Sequence, residues 1–155
     1  MKNGTRLLSL VLCLVLSLAL TACGGNADEG SASATESETP ASLPEIWESA
    51  SYKEDTTLGD GAKTLVVEVE AEGYSVEFTV KTDAATLGAA LLELELIAGE
   101  QGAYGLYVKT VNGMLADYDV DGSYWALYQN GEYAMSGIDT TNINGGEHFE
   151  LVRTK

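Results

Sequence analysis

The residues best suited to hold a metal ion are the alternating carboxylates of Asp117 to Gly122, which reads Asp-Tyr-Asp-Val-Asp-Gly. Carboxylates at alternate positions, with glycine at the sixth, match the first half of a calcium-binding loop. The twelfth position of such a loop requires a bidentate glutamate, and Tyr128 stands there. The flanking segments also have the alternation of strands and not the period of helices. We therefore predict an acidic loop between strands that binds calcium at best weakly, and no metal site.

Residue types that serve in catalysis are present, but they form no recognisable constellation. No serine, cysteine or second histidine is spaced to complete a catalytic or zinc-binding set with the single histidine, His148. Carboxylate pairs such as Glu68 with Glu70, or Glu93 with Glu95, fit the solvent-facing side of a strand or a helix. The sequence therefore predicts a protein that is not an enzyme and has no catalytic cofactor.

The N-terminal segment has the features of a secretory signal peptide. Lys2 and Arg6 precede an apolar run that ends in Leu20-Thr21-Ala22-Cys23, which resembles the lipobox of bacterial lipoproteins. The resemblance implies cleavage after residues 1–22 and acylation of Cys23, which would hold the protein at the extracytoplasmic face of the cell membrane. A membrane-spanning helix is the alternative, but Leu7 to Leu20 is short for a bilayer core of about 30 Å.

The chain is acidic, and the segment after Cys23 has little to bury. The sequence contains 24 acidic and 8 basic residues, a formal net charge of −16, which disfavours nucleic acid as a partner. Small and polar residues dominate the first part of residues 23–61, which is typical of a disordered tether. Ile46 and Trp47 leave the second part open, because they can pack on a domain. We place the boundary near Ala62 and predict one small domain over residues 62–155.

Hydrophobic periodicity predicts the elements of this domain. Two runs of period two, Leu65 to Ala71 and Tyr74 to Val80, flank Glu72-Gly73 and predict a β-hairpin. A helix is predicted from a cap at Asp83 or Thr86 to a stop at Gly99. It rests on apolar residues at helical spacing, namely Leu87, Ala90, Leu91, Leu94 and Ala98.

Several strands follow the predicted helix. Leu106 to Val111 and Tyr124 to Tyr128 have strand patterns, and Phe149 lies in a last strand. Asn112-Gly113 and Asn130-Gly131 predict tight turns. The order strand, strand, helix, then several strands predicts an α+β fold, a β-grasp-like mixed sheet with one amphipathic helix.

An aromatic and glycine-rich pattern runs through the second half of the domain. Tyr124-Trp125 opens a short strand, Asn130-Gly131 forms a turn, Gly137-Ile138-Asp139 follows, and Gly145 to Leu151 closes the pattern. By the order and spacing of these pieces, residues 63–155 resemble the transcobalamin-like C-terminal domain, which vertebrate cobalamin carriers share with many bacterial surface lipoproteins. The resemblance implies a domain that covers one face of a corrin ring.

The resemblance assigns seven residues to the ligand: Tyr124, Trp125, Tyr128, Asn130, Gly131, Gly137 and Ile138. Aromatic side chains supply rigid contact area, and turn amides supply hydrogen bonds. Structural roles stay open, because Trp125 also suits the core and the two tyrosines also suit a cross-strand stripe. The vertebrate carriers add a helical domain that covers the other face of the ligand, so we expect one domain to offer half a site.

Two functions fit these observations. The first is a cell-surface lipoprotein module that captures a corrinoid (cobalamin-like) or similar amphiphilic small ligand, and passes it to an uptake transporter. Cobalamin would then be a ligand and not a catalytic cofactor. The second is a surface protein- or glycan-interaction module for adhesion or assembly, without a small-molecule ligand.

Overall fold

The computed structural model describes residues 42–155, so the predicted leader, the lipid anchor on Cys23 and the first part of the tether lie outside the described residues. Its strands are β1 (Thr56–Gly59), β2 (Lys63–Ala71), β3 (Tyr74–Thr82), β4 (Ile97–Gly102), β5 (Gly105–Val111), β6 (Met114–Leu115), β7 (Tyr124–Gln129), β8 (Glu132–Tyr133) and β9 (His148–Thr154). Its helices are a 3₁₀ helix (Glu45–Ser49), α1 (Leu87–Glu93) and α2 (Tyr118–Asp121). None of these helices is long and apolar enough to span a bilayer.

The main sheet has six strands in the order β1-β3-β2-β9-β7-β8, and a smaller sheet has the order β4-β5-β6. Strand β9 is parallel to β2 and antiparallel to β7, and β1 is parallel to β3. The sheet is therefore mixed and the fold is α+β, as the sequence predicted. The last strand of the chain lies in the middle of the sheet, not at its edge.

The predicted hairpin is confirmed, and its turn shows why it forms. Strands β2 and β3 pair antiparallel from Lys63 with Thr82 to Ala71 with Tyr74. The turn residues Glu72 and Gly73 have positive φ angles of 55° and 77°. Two central residues of positive φ give the turn type whose twist matches that of the flanking strands. The predicted turns at Asn112-Gly113 and Asn130-Gly131 have the same signs of φ.

Helix α1 is shorter than predicted. Thr86 is its cap, with the side-chain oxygen accepting from the backbone nitrogen of Ala89 at 3.4 Å, but the helix ends at Glu93 and not at Gly99. Glu95 has a φ of 54°, and the chain continues as β4, whose backbone groups pair with β5. Gly99 serves that pairing, because a Cβ there would lie 2.1 Å from the carbonyl oxygen of Tyr107.

The second part of the predicted tether, residues 43–61, packs against the domain, which is the alternative that Ile46 and Trp47 left open. The Trp47 side chain is fully buried, and its Nε1 donates to the carbonyl oxygen of Ala71 at 2.9 Å. Its ring meets the ring of Tyr74 edge-on, with 4.8 Å between centroids. Strand β1 then extends the main sheet beside β3. The folded unit gains a large core residue and an edge strand from this segment.

The hydrophobic core lies on one face of the main sheet. The alternate residues of β2 and β3 that point to this face are buried, and α1, the 3₁₀ helix and the smaller sheet supply the opposing side chains. The other face, which we call the open face, is half-buried to exposed. Its residues on the central strands include Val66, Glu68, Glu70, Glu77, Lys81, Tyr128, His148, Glu150 and Val152, together with Ala126, which is buried.

We expect Trp47→Ala to lower the free energy of unfolding by about 3–5 kcal/mol, because it leaves a cavity and removes the hydrogen bond to Ala71. Urea unfolding followed by circular dichroism measures this change. Leu43→Ala is the control, since Leu43 is 37% exposed and its loss should cost about 0.5 kcal/mol or less. Equal, small effects of both substitutions would show that residues 43–61 are not part of the cooperative unit.

Candidate functional site

An apolar groove of about 190 Å³ opens between the two sheets. We call it the β5–β7 groove. Strands β5 and β7 approach each other but belong to different sheets, so side chains and not backbone hydrogen bonds fill the gap. Its lining residues are Leu106, Tyr107, Val108, Tyr124, Trp125, Leu127, Tyr133, Ala134, Ser136, Gly137, Ile138 and Leu151.

Exposed aromatic side chains form the rim of the groove. Tyr107 is 42% exposed and Tyr133 is 57% exposed, while Leu106 and Leu127 are partly buried against the core. Met135, beyond Tyr133 on the chain, is almost fully exposed. Large apolar groups left in water around a concave surface are typical of binding sites. The groove therefore offers an apolar wall with a rim of two tyrosines.

Trp125 is a buried lining residue of the groove and has an unused hydrogen-bond donor. Its side chain is 8% exposed, and its Nε1 has no hydrogen-bond partner within residues 42–155. A buried donor left unpaired costs about 1–3 kcal/mol, and such groups are rare in folded proteins. The sequence left open whether Trp125 belongs to the core or contacts a ligand; in the structure it is part of the core cluster and also lines the groove.

The pleat of β7 separates the aromatic residues that the sequence grouped together. Successive side chains of a strand point to opposite faces, so Trp125 lies on the core side and Tyr128 on the open face. Tyr128 is in register with Glu150, and its ring meets that of Tyr133 edge-on at 5.5 Å. Tyr124 borders the groove at its other end.

Asn130 and Gly131 form the turn between β7 and β8, away from the groove. Their φ angles are 51° and 81°, the conformation that favours Asn-Gly. The Asn130 backbone nitrogen donates to the carbonyl oxygen of His148 at 2.8 Å, and its side-chain oxygen accepts from the His148 nitrogen at 3.2 Å. Thus Tyr124, Trp125, Gly137 and Ile138 come together at the groove, whereas Tyr128 and this turn do not join them.

Residues 137–141, which we call the latch, hold one wall of the groove in place. The carbonyl oxygen of Ile138 accepts from the Gly88 nitrogen at 2.8 Å, and that of Thr141 accepts from the Leu87 nitrogen at 2.9 Å. The first backbone donors of a helix lack partners within it, so the latch satisfies two donors of α1. The Asp139 carboxylate accepts from the Leu106 nitrogen at 3.2 Å. The latch therefore joins α1 to the start of β5.

Sequence reasoning missed the half of the groove that β5 and the end of β8 supply. Tyr107 lies within the strand predicted from Leu106 to Val111, and nothing in the alternation of that strand tells which other strand it approaches. Tyr133 lies just past a turn that was predicted. The available signal was the occurrence of tyrosines on both segments, and it does not indicate their proximity.

The acidic segment Asp117 to Gly122 forms α2 and not an extended loop around a cation. Asp117 caps α2 by accepting from the Asp119 nitrogen at 3.1 Å. Asp121 accepts from Ser123, which holds the pKa of this carboxyl at about 2, and also from the Arg153 guanidinium at 2.9 Å. Within residues 42–155, no group of three or more Asp, Glu, His or Cys side chains is arranged to hold a metal ion. Weak calcium binding stays a prediction.

We expect Gly88→Ala to destabilise the protein, although Gly to Ala within a helix ordinarily stabilises by about 1 kcal/mol. A Cβ at this position would lie 2.8 Å from the Asp139 Cα, so the latch must shift. We expect a loss of about 1–3 kcal/mol in urea unfolding.

Glu93→Ala is the control for the helix itself, because Glu93 is exposed, and a change within about 0.5 kcal/mol is expected. A gain of stability in Gly88→Ala would show that the latch does not pack tightly against α1.

The domain is similar in sequence to one protein family and in structure to solved proteins. Residues 84–151 match the family model described as Domain of unknown function (DUF4430). A search of the curated proteins found no match. Among solved structures, haptocorrin in complex with Cbi has a TM-score of 0.46 and 21% identity, covering 63% of this chain and 26% of haptocorrin.

A second solved structure is more similar in sequence. It is a protein from Ruminococcus gnavus ATCC 29149 described as a candidate metal binding protein, with a TM-score of 0.57 and 33% identity. The match covers 60% of this chain and 97% of that one. With this identity over nearly the whole length of that protein, the chain belongs to the same family as the Ruminococcus gnavus protein.

Proposed function

We propose that the protein is a cell-surface lipoprotein module whose β5–β7 groove captures a corrinoid or a similar flat amphiphilic molecule for an uptake transporter. The observation that carries the proposal is the groove itself, with the exposed rings of Tyr107 and Tyr133 above an apolar floor. Tyrosine and tryptophan provide large contact areas at low entropic cost. Strands and the latch position these groups, so little ordering is needed on binding.

The size of the groove agrees with partial coverage of such a ligand. Its volume of about 190 Å³ is below the roughly 300–1,000 Å³ of pockets that enclose drug-sized molecules. A corrin ring would therefore contact the groove along one edge of one face, and its other face would remain in water. Modest affinity follows, because few contacts offset the cost of immobilising the ligand. A second protein or a second copy would cover the free face.

The proposal includes a transcobalamin-like, β-grasp-like plan for the domain. The neighbouring strands β3-β2-β9-β7, with β9 parallel to β2 and antiparallel to β7, support this plan. Helix α1 packs on the same face of the sheet as the core. The resemblance in the Tyr124-Trp125 strand and in Gly137-Ile138-Asp139 supports it independently, because both segments line or flank the groove.

The membrane anchor is tested by Cys23→Ala, which removes the sulfur that would carry the lipid. We expect loss of metabolic lipid labelling and release of the protein from the membrane fraction. Cys13→Ala is the matched control, since it alters a cysteine within the proposed leader, and labelling should persist. Continued acylation and membrane association of Cys23→Ala would refute the lipoprotein part of the proposal.

Ligand capture is tested by calorimetric titration of the purified protein, in detergent micelles, with cyanocobalamin and with cobinamide. We expect saturable binding of both, weakened by about 1–2 kcal/mol in Tyr107→Ala, because this substitution removes a rim contact. Tyr118→Ala is the matched control, because Tyr118 is 64% exposed on α2 and is not a lining residue of the groove. Its affinity should equal that of the unmodified protein.

Absence of a saturable signal up to about millimolar ligand, the weak limit of specific binding, would remove the corrinoid from the proposal. Equal weakening by Tyr107→Ala and Tyr118→Ala would place the ligand elsewhere on the protein.

A row of like charges on the open face favours a second candidate function, the binding of a basic protein surface. Glu77, Glu68 and Glu150 are in register across β3, β2 and β9, and Tyr128 and Tyr133 continue the row. Like charges directly opposite each other destabilise a sheet, so this row is explained better by a partner than by folding. A basic surface with an apolar centre would complement it.

A further inference from the structure

We propose that the Nε1–H of Trp125 donates a hydrogen bond to a neutral carbonyl oxygen of the molecule in the β5–β7 groove, so that the site selects ligands with a carboxamide on an apolar body. This inference deepens the proposed function, because it concerns the same groove and names the chemical group that the groove recognises.

The starting observation is that the indole donor of Trp125 is buried and unpaired. The side chain is more than nine-tenths buried, and Nε1 lacks a hydrogen-bond partner within the described residues. Folding alone gives no reason for this arrangement, because an unmade hydrogen bond in an apolar environment opposes folding. A phenylalanine would fill a similar space without that cost. A donor retained at such a position indicates an acceptor that arrives with a ligand.

Trp47 provides the internal comparison. It is also buried, and its Nε1 donates to the carbonyl oxygen of Ala71 at 2.9 Å. The two tryptophans of the chain therefore differ in one respect that matters here. The fold itself supplies an acceptor for Trp47 and supplies none, among the described residues, for Trp125.

The route to Trp125 passes the exposed rim. Tyr107 lines the same groove and is 42% exposed, so its ring can rotate aside at little cost, whereas the ring of Tyr133 is held edge-on against that of Tyr128. Trp125 itself cannot move as easily, because it is part of the hydrophobic core cluster. A ligand would thus meet a fixed donor behind a movable rim, an arrangement that screens the donor from water until the ligand enters.

The surroundings define the acceptor group to which the indole N–H can donate. An indole nitrogen only donates, so the partner must be an acceptor. The lining residues carry no basic side chain to balance an anion, and Arg153, in register with Trp125 on β9, is already paired with Asp121. The net charge of −16 also opposes the approach of carboxylates and phosphates. A neutral carbonyl oxygen fits both conditions. Apolar walls around Trp125 require that the rest of the ligand near this carbonyl be apolar.

Proton–nitrogen NMR of the indole groups tests the inference directly, because the protein has two tryptophans and therefore two indole signals. Trp47→Phe and Trp125→Phe assign them. The probe is benzamide, a flat ring with one carboxamide, and toluene is the matched probe without an acceptor. With benzamide at millimolar concentration we expect the Trp125 indole proton to shift downfield and to saturate. We expect the Trp47 signal to stay in place, and toluene to give no downfield shift of either.

The variants give a second readout. Loss of a single hydrogen bond should weaken benzamide binding by about 3- to 10-fold in Trp125→Phe, and Trp47→Phe should bind as tightly as the unmodified protein. For stability we expect the reverse: Trp47→Phe should be more harmful than Trp125→Phe. Both substitutions remove the same atoms from the interior, but only Trp47→Phe breaks an existing hydrogen bond, so it should lower the urea midpoint further.

A Trp125 indole signal that does not respond to benzamide, or responds equally to toluene, would overturn the inference even if Trp125→Phe fails to fold. Failure of the proposed function looks different. If benzamide shifts the Trp125 signal and cobinamide does not bind, the carbonyl site stands and the corrinoid proposal falls. If cobinamide binds equally to the protein and to Trp125→Phe, the capture function stands and the role of the indole donor is wrong.

Discussion

The position of β9 between β2 and β7 is the constraint on which the rest of the structure depends. The chain completes β7 and β8 at one edge of the sheet, and its last strand must then return to the centre. Residues 134–147 make this return. Ile138 and Ile143 of this segment are buried, so that part of the connection belongs to the core. Pairing of β9 on both sides with β2 and β7 joins the first hairpin to the second half of the domain.

The returning segment also defines the groove. On its way it passes the N-terminus of α1, where the latch satisfies two backbone donors, and the start of β5, where Asp139 accepts from Leu106. Strands β5 and β7 are not hydrogen-bonded to each other. The latch therefore holds them at a distance that leaves the β5–β7 groove between them. The groove is a product of the topology, and its polar donor, Trp125, lies on the strand next to β9. Capture by such a groove would need movement of the exposed Tyr107 side chain and little movement of the backbone.

Much of the local structure could be predicted from the sequence, because it rests on neighbouring residues. Alternation in Leu65 to Ala71 and the Asn-Gly turns specified strands and turns that the structure confirms. The predicted helix was too long, because Leu94 and Ala98 keep the helical spacing although the chain turns at Glu95. The docking of Trp47 on Ala71 is a contact between distant parts of the chain; the sequence allowed Trp47 to pack on the domain, but it did not indicate where.

The site was predictable in part for the same reason. Trp125, Gly137 and Ile138 were found through a pattern along the chain, and they do line the groove. Tyr128 belonged to the same pattern, but the pleat turns it to the opposite face of the sheet, because a spacing of three along a strand changes sides. Tyr107 lies on a strand of the other sheet, so only the packing of β5 beside β7 identifies it.

The central claim, that ligand capture takes place in the β5–β7 groove, is tested most directly by a crystal structure of the protein with bound cobinamide. We expect one edge of the ring to lie between Tyr107 and Tyr133, with an amide oxygen within hydrogen-bond distance of the Trp125 Nε1. A ring bound instead on the open face, against Tyr128 and Glu150, would contradict it.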